Sequence, residues 1–170
     1  EMAMVIDYLS HKLRFDSGDN LYEKVFTNEK FRQLIGHEVQ EMFDSTLDRI
    51  LSSVYTQQIM GTLYVEVDLE NFTQRGQYPT AGKVLGLVHD HMAQDYEEGA
   101  VFTAGFFSDG IIIRATEPIL PVPDLLTNLQ KDLPNANVDG GGHEQAGSLK
   151  FIPAFTDEIK NYVKQKLSEI

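Results

Sequence analysis

Hydrophobic residues in the first third of the chain recur at intervals of three and four, which is the spacing of one face of an α-helix. The clearest stripe occupies seven positions: Val39, Met42, Phe43, Leu47, Ile50, Leu51 and Val54. Shorter helices are predicted over Met4–Leu13 and Leu21–Phe26, with the turn-forming residues 16–20 between them. We interpret residues 1–57 as a helical connector that docks on another part of the protein.

From Gly61 the period changes to the alternation of a β-strand with one buried face. The apolar positions are Leu63, Val65, Val67 and Leu69, and the intervening positions on the predicted solvent face are Tyr64, Glu66, Asp68 and Glu70. Thr80 is a suitable cap for a helix that follows. In that helix Gly82 and Gly86 would permit close packing on a sheet. The order predicts a strand that leads into a helix.

A second strand is predicted over residues 100–107, which are almost all apolar, and a returning strand over 111–116. The turn-forming Ser108-Asp109-Gly110 between them completes a β-hairpin. Pro121 and Pro123 mark the start of another helix, because proline is favoured in the first helical turn. The inner face of this helix is apolar: Leu125, Leu126, Leu129 and Leu133.

The end of the chain predicts a glycine loop at 139–142, a last strand over 147–152 and a terminal helix that begins at Thr156. Strands interleaved with helices indicate an α/β fold of the α+β kind. We expect a central mixed sheet of about five strands flanked by helices over residues 58–170. Whether residues 51–58 are helix or strand is left open.

Composition and net charge exclude several classes of protein. The net charge of −12 argues against wrapping of long nucleic acid, which needs clustered Lys and Arg. The chain has no cysteine and no stretch apolar enough to span a membrane, so we expect a soluble, cytoplasmic protein without disulfides. Because Glu1 is not an initiator methionine, we expect a piece of a longer polypeptide. Between Lys83 and Lys131 the one basic residue is Arg114, which makes it a candidate for function.

Three consecutive glycines, Gly140, Gly141 and Gly142, precede His143. Such a run loses much conformational entropy on folding, so it indicates positive φ angles or close approach of the backbone to a ligand. Backbone N–H groups without neighbouring Cβ atoms can converge on an anion, and an imidazole can add a further donor. The residues alone leave two interpretations open: a phosphate cradle, or a tight structural connection with an incidental histidine.

Residues 139–148 read Asp-Gly-Gly-Gly-His-Glu-Gln-Ala-Gly-Ser. This segment resembles the Gly-Gly-Gly-His-x-x-Ala-Ala-Gly signature of the first type of DHH-associated domain, the C-terminal domain of DHH-family phosphoesterases. Two positions depart from the signature: Gly147 and Ser148 stand where the family has Ala and Gly, whereas Ala146 matches. The resemblance covers roughly residues 62–152 and includes Arg114, which ends an apolar strand as in many family members.

The resemblance implies a substrate-binding domain of a metal-dependent phosphoesterase, similar to RecJ-like exonucleases or to the oligoribonuclease and pAp phosphatase group. His143 and the glycine backbone would contact a substrate phosphate. Arg114 would bind a second phosphate or a base edge, with an ion pair to Glu117 as the alternative. The family cleaves phosphodiester or phosphomonoester bonds with a divalent cluster, usually manganese, held by an N-terminal DHH domain. No Asp-His-His motif occurs here, so we expect no metal and little hydrolysis by this chain alone.

The expected partners are a short oligonucleotide, single-stranded nucleic acid or a nucleotide, together with the N-terminal DHH domain of the same polypeptide. No membrane partner is expected, and the oligomeric state is left open, a homodimer included. Two other functions are considered: an RNA-binding appended domain like that of alanyl-tRNA synthetases, without hydrolysis, and a structural or dimerisation domain. The sequence also leaves open whether the substrate is DNA, RNA or a small nucleotide. It does not decide whether the parent enzyme is an exonuclease or a phosphatase.

Two other groups of side chains are weaker candidates for metal binding. His89 and His91 lie two positions apart on a predicted helix and so cannot easily share one ion, which favours a solvated helix end. Glu66, Asp68 and Glu70 share one face of a predicted strand and could bind a hard cation. A solvent-exposed strand face is the preferred interpretation of that row.

Overall fold

The computed structural model describes residues 2–13, 21–74 and 76–170, apart from the side chains of Leu13 and Tyr22. This described part contains six α-helices: α1 Met2–Leu13, α2 Leu21–Thr27, α3 Glu29–Leu51, α4 Ala81–Asp95, α5 Val122–Asp132 and α6 Thr156–Ser168. The helices predicted for the first third of the chain are confirmed, whereas the turn predicted over 16–20 lies outside the described residues. Within the described residues, no helix is both long and apolar enough to cross a membrane.

Helices α1, α2 and α3 pack on one another and on the segment before α4. Asn28 caps α3, because its side chain accepts a hydrogen bond from the Phe31 backbone N–H at 3.0 Å. The Tyr78 ring lies 5.1 Å from the Tyr8 ring and 5.8 Å from the Phe43 ring, measured between centroids. The buried residues of this cluster are Val5, Tyr8, Leu9, Val25 and Val39. Tyr78 therefore joins α1 and α3 to the chain that leads into α4.

The described residues form six strands in one sheet: β1 Tyr55–Ile59, β2 Thr62–Asp68, β3 Val101–Phe107, β4 Gly110–Ala115, β5 Asp139–His143 and β6 Ala146–Lys150. Their order is β1-β2-β3-β4-β6-β5, with β2 and β3 parallel and the other neighbours antiparallel. The prediction of a mixed sheet flanked by helices is confirmed. The open question over residues 51–58 is answered, because α3 ends at Leu51 and β1 begins at Tyr55.

Helices cover both faces of the central strands. On one face, α3 and α4 pack on a cluster that includes Ile50, Val65, Val67, Leu85 and Val88. On the other face, α5 and α6 pack on a larger cluster that includes Tyr64, Phe102, Ile111, Leu125 and Ile159. The prediction that Tyr64 lies on a solvent face is therefore wrong, because α6 covers the second face of β2 and leaves its ring fully buried.

Glu66 also lies on the covered second face and not on a solvent face as predicted. Its two carboxylate oxygens are 3.0 Å from Lys160 Nζ and 2.8 Å from Lys164 Nζ, both on α6. Burial alone would raise the pKa of Glu66, but hydrogen bonds from Lys164 and Lys160 outweigh burial and hold the pKa below its usual value. The carboxylate thus ties α6 to the sheet.

The helices do not cover both faces of the outermost strands, β5 and β6. Helix α4 packs on β3 and β4, whereas α5 packs on β5 and β6 from the opposite face. On the α4 side, the residues of β5 and β6 that point outward are partly or largely exposed: Asp139, Gly141, His143, Ala146, Ser148 and Lys150. We call this surface the uncovered face.

Candidate functional site

The three glycines form part of strand β5, so the prediction of a loop over 139–142 is wrong. Their chain pairs with β6 in an antiparallel hairpin, with Glu144 and Gln145 as the two-residue turn. Glycine has a low preference for strands, which is why the sequence pattern favoured a loop. Because β5 is the last strand of the sheet, alternate backbone N–H and C=O groups along its outer edge have no strand to pair with.

The three glycines differ in what surrounds them. A Cβ atom on Gly140, whose φ is +140°, would collide with the Ser148 carbonyl oxygen. A Cβ atom on Gly142 would collide with the Ala146 carbonyl oxygen. Above Gly141, in contrast, nothing lies within 4 Å of an added Cβ. The hairpin itself therefore requires glycine at 140 and 142, and the third glycine has an open space above it.

The register of the sheet places Arg114 and His143 on one line across three strands. Arg114 on β4 is opposite Ala146 on β6, and Ala146 is opposite His143 on β5. Laterally paired residues point to the same face of a sheet, and neighbouring strands lie about 4.8 Å apart, so the two Cα atoms are roughly 10 Å apart. One methyl group separates the guanidinium from the imidazole. We call Arg114, Ala146 and His143 the open row.

Both ends of the open row are available to a ligand. Arg114 and His143 are exposed. Within residues 2–13, 21–74 and 76–170, neither side chain forms a hydrogen bond or an ion pair, so the alternative ion pair between Arg114 and Glu117 is not formed. A guanidinium and an imidazole on one exposed line can donate to a single anion from two sides.

The turn of the hairpin is held against the end of β4. The Gln145 carbonyl oxygen accepts from the Ala115 backbone N–H at 2.8 Å, and Gln145 Nε2 donates to the Thr116 carbonyl oxygen at 2.8 Å. These two contacts fix the turn that follows His143. They therefore fix the position of His143 relative to Arg114.

Two cavities border the uncovered face. The smaller has a volume of about 480 Å³ and separates α4 from the end of β4 and the hairpin turn. We call it the α4 pocket, and its lining includes Gly82, Gly86, His89, Asp90, Arg114 and Gln145. The larger has a volume of about 880 Å³ and its lining includes Ser148 and Lys150. A ligand on the open row can thus extend in either direction.

Two predictions for α4 are wrong. Gly82 and Gly86 do not mediate close packing on the sheet, since an added Cβ on either would meet nothing within 4 Å. His89 does not lie on a solvated helix end, because only 8% of its surface is exposed and its Nδ1 is 2.9 Å from Thr103 Oγ1 on β3. Thr103 is opposite Arg114 in the sheet and points to the same face, so His89 lies beside the Arg114 end of the open row.

The other two carboxylates considered for a cation site, like Glu66, have partners within the fold. Asp68 Oδ1 accepts from the Glu70 backbone N–H at 3.0 Å, and Glu70 Oε2 accepts from the Ser108 backbone N–H at 2.6 Å. In the parts of the chain that the structure describes, no group of three or more His, Asp or Glu side chains is arranged to hold a metal ion. The site thus consists of an arginine, a histidine and exposed strand backbone.

Comparisons with known proteins show which proteins this chain resembles in sequence and in fold. No protein-family model matches the chain. The chain is 24% identical to the uncharacterized protein MJ1198 of Methanocaldococcus jannaschii, over 94% of this chain and 23% of that protein. The solved DHH domain of PF0399, a member of the s1p family of ribosomal proteins, matches with a TM-score of 0.88 and 26% identity, over 99% of this chain and 42% of that chain. These similarities in sequence and fold support the prediction of a DHH-associated domain.

The chain also has the fold of part of RecJ from Thermus thermophilus, solved in complex with Mg²⁺. The TM-score is 0.52 and the identity 16%, over 99% of this chain and 24% of that chain. The domain spans less than half of the length of each of these three relatives.

The stability of the domain is expected to fall as the pH decreases below the usual pKa of histidine, because of His89. Burial lowers the pKa of His89, an effect that Asp90 opposes and Arg114 reinforces. Above about pH 6.5 the ring is neutral in both the folded and the unfolded state, and below it the unfolded state binds the proton first, which favours unfolding.

The measurement is urea denaturation of the wild type and of His89→Gln between pH 8 and pH 5. The variant is expected to lose part of the slope of unfolding free energy against pH. His37→Gln, at an exposed position of α3, is the comparison variant, because it also replaces one histidine by glutamine but leaves the buried ring of His89 in place. An identical slope in wild type and His89→Gln would contradict the expectation.

Proposed function

We propose that this domain binds the phosphate groups of a nucleotide or of a short single-stranded nucleic acid, as the substrate-binding part of a DHH-family phosphoesterase. The observation that carries the proposal is the open row, in which Arg114 and His143 are exposed on one line with only Ala146 between them. A guanidinium can hold a phosphate through two parallel hydrogen bonds, and the imidazole can donate to the same group from the other side.

The surroundings of the open row support a phosphate ligand of limited length. Gly141 leaves the strand backbone open beside His143, so a ligand can approach the main chain closely. The net charge of −12 opposes binding of a long polyanion, which needs many cations along its path. A small number of phosphates gathered at one arginine and one histidine is compatible with that charge.

Hydrolysis is assigned in this proposal to another domain of the same polypeptide. The described residues of this chain offer no cluster of metal ligands, so they do not fit a divalent metal centre. We place the divalent cation, manganese, and the activated water in the N-terminal DHH domain. The role of this chain is to hold the substrate in register with that centre.

Removal of the arginine side chain is the direct test. In a fluorescence-anisotropy titration of the isolated chain with a labelled, 5′-phosphorylated trinucleotide, Arg114→Ala is expected to weaken binding about tenfold or more, since charge-assisted hydrogen bonds contribute about 1.5–3 kcal/mol. His143→Ala is expected to weaken binding less, because it removes a single donor. The same trinucleotide with a 5′-hydroxyl should bind more weakly than the phosphorylated form.

Lys131 provides the matched control, because it is an exposed cation on α5, which packs on the opposite face of the sheet. Lys131→Ala changes the net charge as Arg114→Ala does, and it should leave binding unchanged. Equal losses in both variants, or no loss in Arg114→Ala, would sink the proposal. Strong, salt-sensitive affinity for tRNA in place of the short ligand would favour an RNA-binding appendage instead.

A further inference from the structure

Helix α4 contains two glycines one turn apart that its own packing does not explain. Glycine inside a helix costs about 1 kcal/mol relative to alanine. A Cβ on Gly82 or Gly86 would meet nothing within 4 Å, so no neighbouring segment of the described chain requires their absence of a side chain. Both glycines line the α4 pocket. The bare stretch of helix backbone therefore faces open space at the end of the open row.

His89 offers the α4 pocket a polar atom that the fold leaves unused. Its Nδ1 contacts Thr103, and its Nε2 has no hydrogen-bond partner among the described residues. In the same residues, no fully buried side-chain nitrogen or oxygen lacks a partner. Nε2 must therefore reach solvent, and the α4 pocket is the cavity that His89 lines. A histidine that is 8% exposed thus presents one ring nitrogen to a ligand in this pocket.

The lining of the α4 pocket suits a planar group with polar edges. Bare backbone at Gly86 makes a flat wall, and Phe43 and Leu87 add apolar surface. Asp90 and the Gln145 side-chain carbonyl are hydrogen-bond acceptors at the rim, since Gln145 uses its amide nitrogen on Thr116. A volume of about 480 Å³ is that of a small-molecule site.

We propose that the α4 pocket binds the nucleobase of a nucleotide whose phosphate lies on the open row. This inference rests on the proposed function, because Arg114 belongs to both the open row and the pocket lining. A second phosphate fits the pocket less well than a base. Asp90 would repel it, and the pocket's other cation, Lys83, has its Nζ 3.0 Å from the Asp7 carboxylate. Amino groups of a purine are donors that Asp90 and Gln145 can accept.

The test compares two ligands that differ only in the base. The ¹⁵N-labelled chain is titrated with AMP and, separately, with ribose 5-phosphate, and the backbone amide signals are followed by NMR. AMP is expected to bind at least fivefold more tightly than ribose 5-phosphate. The amide signals of Gly82 and Gly86 should shift with AMP alone, whereas those of Gly141 and Gly142 should shift with both ligands.

A Gly86→Ala variant tests the pocket wall without harming the fold. Alanine favours the helix, so the melting temperature should stay equal or rise. The new methyl group enters the pocket, so the preference for AMP should fall to twofold or less, with ribose 5-phosphate binding unchanged. Gln94→Ala, at an exposed position of the same helix, is the control and should keep the preference.

The outcomes separate this inference from the proposed function. Equal affinity for the two ligands, or a preference that survives in Gly86→Ala, overturns the nucleobase site and leaves phosphate binding intact. No shift with either ligand overturns phosphate binding at the open row, and the nucleobase site with it. A preference for AMP that Gly86→Ala removes and Gln94→Ala keeps supports both.

Discussion

Gly142→Ala is expected to lower the free energy of unfolding by about 3 kcal/mol, whereas Gly141→Ala is expected to leave it near the wild-type value. At position 142 the new methyl group meets the Ala146 carbonyl oxygen, which belongs to the backbone of β6 and cannot move without opening the hairpin. At position 141 the methyl group meets nothing within 4 Å. Alanine also restricts the unfolded chain more than glycine does, which offsets small losses.

Urea denaturation followed by circular dichroism measures both variants at one pH. The trinucleotide titration adds the second half of the comparison: Gly141→Ala should weaken binding severalfold while the fold persists, because its methyl group stands where a ligand would approach the strand. If Gly142→Ala were as stable as the wild type, the β6 backbone would be able to move and accommodate the methyl group at little cost in free energy. Unchanged binding in Gly141→Ala would show that the ligand does not approach this part of β5.

The glycine segment therefore combines two requirements that the sequence alone presents as alternatives. Gly140 and Gly142 are structural, since their backbone lies against the backbone of β6. Gly141 lies on the uncovered face with His143, because residues two apart in a strand point the same way. Gly140 and Gly142 are therefore needed to form the hairpin, whereas Gly141 leaves space for a ligand.

Elements with strong periodicity could be predicted from the sequence. The hairpin of β3 and β4 and the helix α3 follow directly from apolar positions that repeat at strand or helix spacing. Strand β1 could not be predicted, because Tyr55–Ile59 is mostly polar and exposed at the edge of the sheet. The burial of Tyr64 was also missed, since only the packing of α6 on the second face of β2 determines it.

The members of the candidate site could be named from the sequence, but their arrangement could not. Arg114 and His143 are 29 positions apart, and their alignment depends on the register of β4, β6 and β5. The burial of His89 could have been predicted from its spacing in the helix. His89 is four positions after Leu85, so it shares the buried face of α4. No sequence pattern predicts that the backbone at Gly86 lines a pocket, because this depends on how α4 packs on the sheet.

Glu66→Gln is expected to destabilise the domain by about 2 kcal/mol at pH 7. The substitution leaves Lys160 and Lys164 beside an uncharged amide, and removal of one partner from a buried ion pair costs about 3–5 kcal/mol. The smaller value follows because both lysine side chains keep more than a quarter of their surface exposed and can turn towards water.

The pH dependence identifies Glu66 as the source of this loss. Because the pKa of Glu66 is lower in the folded state, its contribution is fully present above the usual glutamate pKa and is lost as the pH falls through the lowered pKa. Urea denaturation at pH 7, 5 and 3.5 should therefore show wild type and Glu66→Gln converging in acid. Glu97→Gln, at an exposed position, is the control and should follow the wild type throughout. A constant gap between wild type and Glu66→Gln at all three pH values would mean that α6 is held by packing of Ile159, Val163 and Leu167 rather than by the ion pairs.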